Sequence, residues 1–178
     1  MTPMDPPRIL IVDDTPANIE LLLGALEEEY ELSFATSGRQ ALSLLLQQPP
    51  MPDLILLDVM MPEMDGYELN AILQREPATR AIPVIFITAK TDIQSETRAL
   101  SEGAVDFIHK PINTEVLRAR VRVHTMLRQR TLAQQQSLEK IQQAQEQLRI
   151  LSMAIEQSPT SVVITDVNAR IEYVNPHF

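Results

Sequence analysis

Five polar residues stand where short apolar runs end. Asp13 and Asp14 follow the run Arg8–Val12, Asp58 follows residues 54–57, Thr88 closes Val84–Thr88, and Lys110 follows Asp106–His109. A lone Asp at such a place is ordinarily a helix cap or turn residue, and a lone Thr or Lys in a loop ordinarily does nothing. Five of these types at strand ends form a constellation. Three carboxylates drawn together repel one another unless a hard cation lies between them, and Mg²⁺ takes oxygen ligands while keeping several waters. A carboxylate left free in that set is a nucleophile toward a phosphoryl group, giving an aspartyl phosphate. The Thr hydroxyl and Lys ammonium are the donors that phosphoryl oxygens need, because phosphoryl transfer is catalysed mostly by positioning and charge neutralisation.

Bringing such residues together requires an alternation of strands and helices, and the first 125 residues supply it. Strands are expected over Arg8–Val12, Glu31–Ala35, 54–57, Val84–Thr88 and Asp106–His109. Between them, Ile19, Leu22, Leu23 and Leu26 repeat at helical spacing after Pro16, and further helices are expected over 37–48, Gly66–Arg75 and 92–102. A fifth begins near Thr114, behind Pro111, with Asn113 as its N-cap. Runs such as LILL and VIFI are apolar on both faces, as parallel strands covered by helices on both sides must be. In an open parallel sheet ligands bind beyond the carboxyl ends of the strands where the strand order reverses. All five polar residues fall on that edge.

The residues then resemble the receiver domain of two-component response regulators. The likeness covers residues 6–125 and rests on ILIVDD (9–14), LILLDVMMPEMDGYEL (54–69), PVIFITA (83–89) and DFIHKP (106–111). The intervals of 44, 30 and 22 residues separating Asp14, Asp58, Thr88 and Lys110 are similar to those of the family. The resemblance implies a five-stranded parallel doubly wound α/β sheet, the flavodoxin-like receiver fold. It implies that Asp58 is the phosphoacceptor, that Asp13, Asp14 and Asp58 hold Mg²⁺ with the Met60 backbone carbonyl, and that Thr88 and Lys110 bind the phosphoryl group. Phe107 is then the aromatic switch residue acting with Thr88, and the Lys110–Pro111 bond is cis. The donor would be a histidine kinase or phosphotransfer protein. Met60 and Lys90, two residues after Asp58 and Thr88, border the phosphoryl site and would tune hydrolysis.

From Val116 no Pro or Gly occurs until Pro159, and Gln is abundant. A helix of ~40 residues reaches ~60 Å, too long to wrap one small core, so it is expected to protrude. Ile141, Ala144, Leu148, Leu151 and Ile155 alternate spacings of three and four, the seam of a dimeric coiled coil. Upstream, Leu127 and Leu138 read as a different register with polar Thr131 and Gln134 between them. Beyond the helix, alternating stretches at 162–165 and Ile171–Val174 flank the turn-rich segment 166–169 and predict a hairpin. The last ~25 residues resemble the opening of a PAS sensory domain, with Glu-x-Ser-Pro leading into two strands and an Asn-Pro-x-Phe turn. The expected domains are a receiver over 1–125, a signalling helix over 126–157 and a truncated PAS-like segment over 158–178. The natural chain is expected to continue into an output of cyclic-dinucleotide or kinase type.

Composition excludes other classes. The net charge of -9 argues against a non-specific nucleic-acid binder, which needs a basic footprint. The charge is uneven: residues 1–110 hold 18 acids against 7 bases, and residues 111–150 hold 3 against 7. Arg118, Arg120, Arg122, Arg128 and Arg130 spread round the helix and read as a solvated face. No cysteine, signal peptide or membrane-length apolar run is present, so a cytoplasmic, soluble chain is expected. A Mg²⁺-dependent phosphatase with an aspartyl nucleophile is the rival enzyme. Such enzymes need a second Asp two residues on, and Met60 stands there. A phosphorylation-independent dimerisation module is the other rival, and such modules usually lose one of the five residues kept here.

Overall fold

The structure, a computed structural model, describes residues 6–47, 50–89 and 103–177. Its elements are β1 (Arg8–Val12), α1 (Pro16–Leu26), β2 (Glu31–Ala35), α2 (Gly38–Gln47), β3 (Leu54–Asp58), α3 (Gly66–Arg75), β4 (Val84–Thr88), β5 (Asp106–His109), α4 (Thr114–Glu156), β6 (Val163–Thr165) and β7 (Ile171–Val174). The helix expected over 92–102 and the position of Lys90 lie outside the described residues. The chain divides into two compact units, up to Arg130 and from Thr131, the boundary falling inside α4.

In the first unit, β1 to β5 form one parallel sheet in the order β2-β1-β3-β4-β5. The chain winds outward from β1 to β2 and returns past β1 to β3, so the order reverses between β1 and β3. Alternation within the buried strands divides the core into two layers. Leu10, Val12, Ile55, Leu57, Val84 and Phe86 face one side with Ala41, Leu45, Leu69 and Leu73 of α2 and α3. Ile9, Ile11, Leu54, Leu56, Ile85 and Ile87 face the other with Ile19, Leu22 and Leu26 of α1 and Leu117 and Val121 of α4. Both faces of β1, β3 and β4 are therefore sealed, which is why these strands read as unbroken apolar runs. Truncating wholly buried Leu56 or Phe86 to Ala would cost about 2–5 kcal/mol through lost burial and the cavity left behind.

Local signals set the helix starts. Pro16 occupies the first turn of α1, where its missing N–H costs nothing. Asp65 opens α3 with a capping box: its carboxylate accepts from the Glu68 amide, and the Glu68 side chain accepts from the Asp65 amide. Asn113 Oδ1 accepts from the Glu115 and Val116 amides at the start of α4. The Lys110–Pro111 peptide is cis.

In the second unit β6 and β7 pair antiparallel, with a bulge between Ile164 and Thr165. Asn175, only 3 % exposed, joins the hairpin to the end of the helix. Its Nδ2 donates to the carbonyls of Ile155 (3.1 Å), Ser158 (3.4 Å) and Thr160 (3.0 Å), and its Oδ1 accepts from the Val162 amide at 2.8 Å. Ile141, Leu148 and Leu151 stay exposed along α4. Among the described residues no helix is long and apolar enough to cross a membrane.

Candidate functional site: an acidic cluster at the carboxyl edge of the sheet

The site is assembled by strand ends. Asp58 is the last residue of β3 and Thr88 of β4, while Asp13 and Asp14 follow β1 and Lys110 follows β5. Backbone bonds fix these ends beside one another. The Asp13 amide donates to Ala35 O, that of Val59 to Ile87 O and that of Lys110 to Thr88 O. The cluster thus lies where the sheet order reverses.

Within it Asp13 is wholly buried and Asp58 nearly so. The Lys110 ammonium bridges them, 3.2 Å from Asp13 Oδ2 and 2.9 Å from Asp58 Oδ2. The Met60 amide donates to Asp58 Oδ1 at 3.2 Å, which ties the loop after β3 to that carboxylate. Asp14 is half-exposed, and the Thr15 hydroxyl donates to it at 3.3 Å. Thr88 is buried at the rim. Burial, and next the charge of Asp13, push the Asp58 carboxyl above the ordinary aspartate range against the opposing pull of Lys110. Burial works against the Lys110 charge, but bonds and attraction from Asp58 and Asp13 outweigh it and raise its pKa.

Ligand atoms of Asp13, Asp14 and Asp58 all lie within 4.8 Å of one another. A set of hard oxygens that close is the chemistry a small divalent cation requires, so the residues fit Mg²⁺. Asp13 has a further partner that the spacing of motifs did not reveal. Asn18, in the first turn of α1, donates its amide to both Asp13 oxygens at 3.0 Å, and the Thr15 amide adds a bond at 2.8 Å. The signal available was weak: a polar Asn in the first turn behind Asp-Asp.

Phe107, on β5, is half-buried and packs against the α2/α3 core layer. Its ring meets His109 edge-on at 5.2 Å, and the Arg120 guanidinium lies 5.9 Å from its centre. Arg120 also pairs with Asp106, and His124 Nε2 lies 3.2 Å from the same carboxylate. Burial disfavours the Asp106 charge, but Arg120, the Phe107 amide and His124 together hold its pKa below the ordinary range. This cluster ties β5 to α4 and was not anticipated from sequence.

The model of the response regulator receiver domain matches residues 9–122. The chain belongs to this family. It is 47 % identical over 116 residues to the response regulator PleD of Caulobacter vibrioides, covering 65 % of this chain and 25 % of that protein. Identity is 44 % over 116 residues, 65 % of this chain and 26 % of the relative, to the Vibrio cholerae protein named "Probable cyclic di-GMP phosphodiesterase". Among solved structures, the signal receiver domain of a signal transduction histidine kinase from Syntrophus aciditrophicus is 42 % identical, with a TM-score of 0.62, over 67 % of this chain and 90 % of that one. The chain spans about a quarter of the length of these two curated relatives. The receiver fold and its place in two-component signalling, where receivers work with histidine kinases, follow from membership.

Proposed function

We propose that Asp58 accepts the phosphoryl group of a phosphohistidine carried by a histidine kinase or phosphotransfer protein. What carries the reading is the Lys110 ammonium set between Asp13 and Asp58 at the point where the sheet reverses. An Asp58 oxygen attacks phosphorus while the phosphorus–nitrogen bond breaks, and the imidazole nitrogen leaves with the electron pair. Lys110 and the Thr88 hydroxyl donate to the phosphoryl oxygens as the group arrives. Asp13, Asp14, Asp58 and the Met60 carbonyl would hold Mg²⁺, which supplies neutralisation of the charge gathering at phosphorus. Hydrolysis returns the carboxylate: water attacks phosphorus, the Asp58 oxygen leaves, and inorganic phosphate departs. Incubation with acetyl phosphate and Mg²⁺, followed by intact-mass measurement, should give one phosphoryl adduct that Asp58→Asn abolishes. A full adduct on that variant would falsify the assignment.

The phosphoryl group should then shift an equilibrium by binding one conformation better. Thr88 turns toward it, Phe107 follows inward, and the β5–α4 face carrying Arg120 repacks. The receiver occupies 1–125, a signalling helix 126–157 and a PAS-like segment 158–178. Exposed Ile141, Leu148 and Leu151, with Ala144 and Ile155 completing their three-four spacing, support a parallel homodimer through this seam. The module acts in the cytoplasm without binding nucleic acid, and its output is of the cyclic-dinucleotide or the kinase class, the first being the class named for the Vibrio relative.

A further inference from the structure

The loop between Asp58 and α3 is anchored at several points. At its far end Gly66 lies under β3: a Cβ there would come 2.3 Å from the Asp58 carbonyl oxygen and 2.9 Å from Val59 Cα, so this position admits only glycine. Its amide donates to Val59 O. At the near end the Met60 amide holds Asp58 Oδ1. Between them Met61 is buried, Glu63 takes a positive φ of 65°, and the Met64 amide donates to Pro62 O at 2.8 Å. The Met64 side chain, partly buried against the α2/α3 core layer, runs over the first residue of α2. A Cβ added to Gly38 would lie 2.7 Å from Met64 Sδ, 3.0 Å from its Cγ and 3.3 Å from its Cβ. The Sδ and Cγ contacts force the Met64 side chain to rotate away, and the Cβ contact, one bond from the backbone, requires Met64 itself to give by a few tenths of an ångström. Arg39 and Glu63 add an ion pair at 3.5 Å, but both side chains are largely solvated and contribute little.

We infer that Gly38 is a positioning residue for the phosphoryl site: it receives Met64 and so sets the height of the loop that carries the Met60 amide and carbonyl. The inference rests on Asp58 and Met60 acting as assigned above. Gly38 touches no reacting atom. It acts because Met60 donates its amide to Asp58 Oδ1 and, as assigned above, its carbonyl would join the carboxylates in holding the cation, so a displaced loop would lose both. A methyl at 38 lifts Met64, and shortening Met64 restores the space.

The test uses the full chain in five forms: unsubstituted, Gly38→Ala, Met64→Ala, the double variant of these two, and Arg39→Ala. Mg²⁺ affinity is read by calorimetry, and phosphoryl uptake from acetyl phosphate by intact mass. Without metal, hydrogen exchange of the Met60 amide is read at the same time. Gly38→Ala should weaken Mg²⁺ binding about five- to tenfold, slow uptake by a similar factor and hasten Met60 exchange. The double variant should return within about twofold of the unsubstituted chain, and Arg39→Ala should change none of the three. Should Gly38→Ala fail to fold, the comparison runs in reverse. Met64→Ala leaves a gap and weakens binding, and adding Gly38→Ala to it strengthens binding again. Gly38→Ala that matches the unsubstituted chain, or a double variant no better than either single, overturns the inference. An unsubstituted chain that takes no phosphoryl group on Asp58 overturns the underlying assignment instead.

Discussion

At the scale of single residues the site stores charge that the fold tolerates for use. Asp58 is held above its ordinary pKa by burial and by Asp13. A carboxyl with a raised folded pKa binds its proton more tightly folded than unfolded. Stability therefore falls as pH rises from the unfolded toward the folded value, and stays lower above it. In metal-free protein at neutral pH, Asp58→Asn should raise the melting temperature by a few degrees, a gain of order 1 kcal/mol. The gain should shrink as pH falls through the folded pKa of Asp58, and equal melting at both pH values would contradict it. Asp106 has the opposite sign: its lowered pKa gives stability that is complete above the unfolded value and is lost as pH falls through the folded one. Asn18→Ala should cost about 1–3 kcal/mol, because Asp13 then keeps its buried charge with two fewer hydrogen bonds. Thermal melting measures that cost, and a Mg²⁺-induced rise in melting temperature that also diminishes would show that Asp13 has lost its orientation.

At the scale of elements, what was legible followed from burial and what was hidden depended on side chains meeting across the sequence. Strands β1, β3 and β4 stand out because both faces are sealed. The hairpin was expected from alternation and appears at β6 and β7, one residue shorter at its start. Helix α4 announced itself by Asn113 and by the absence of Pro and Gly. By contrast, Asn18 on Asp13, Arg120 and His124 on Asp106, and Met64 on Gly38 join residues whose pairing no periodicity encodes. The register of Leu127 also needs correction: it lies 14 residues, two heptads, before Ile141, so only Leu138 is out of step with the seam. Asn175 makes the same point, since nothing local predicts that one amide satisfies Ile155, Ser158, Thr160 and Val162 together. Asn175→Ala should remove these part-buried hydrogen bonds at a local cost of about 1–3 kcal/mol in all. Hydrogen exchange should quicken at Val162 and through β6 and β7 while β1 and β3 keep their protection. Unchanged exchange at Val162 would show that the amide bridge contributes nothing.

At the scale of the whole molecule the proposed dimer would let a local modification be read by the segment that follows the helix. Replacing Leu148 and Ile155 together by Asp puts charge into the seam, where an unpaired buried carboxylate is unfavourable. Sedimentation should then report the 20.1 kDa chain mass in place of twice that value, with phosphoryl uptake at Asp58 unaltered. An unsubstituted chain that sediments as a monomer at tens of micromolar would remove the dimer from the mechanism. Val167, at the turn between β6 and β7, is fully exposed, and the chain contains no cysteine. A thiol introduced there would be the sole one, so a spin label or fluorophore could be attached at a single known point without protecting any other. In a parallel pair the two probes would lie near each other, and in an antiparallel pair they would lie at opposite ends. The turn thereby offers a built-in ruler for strand direction, and for any rotation that follows phosphorylation.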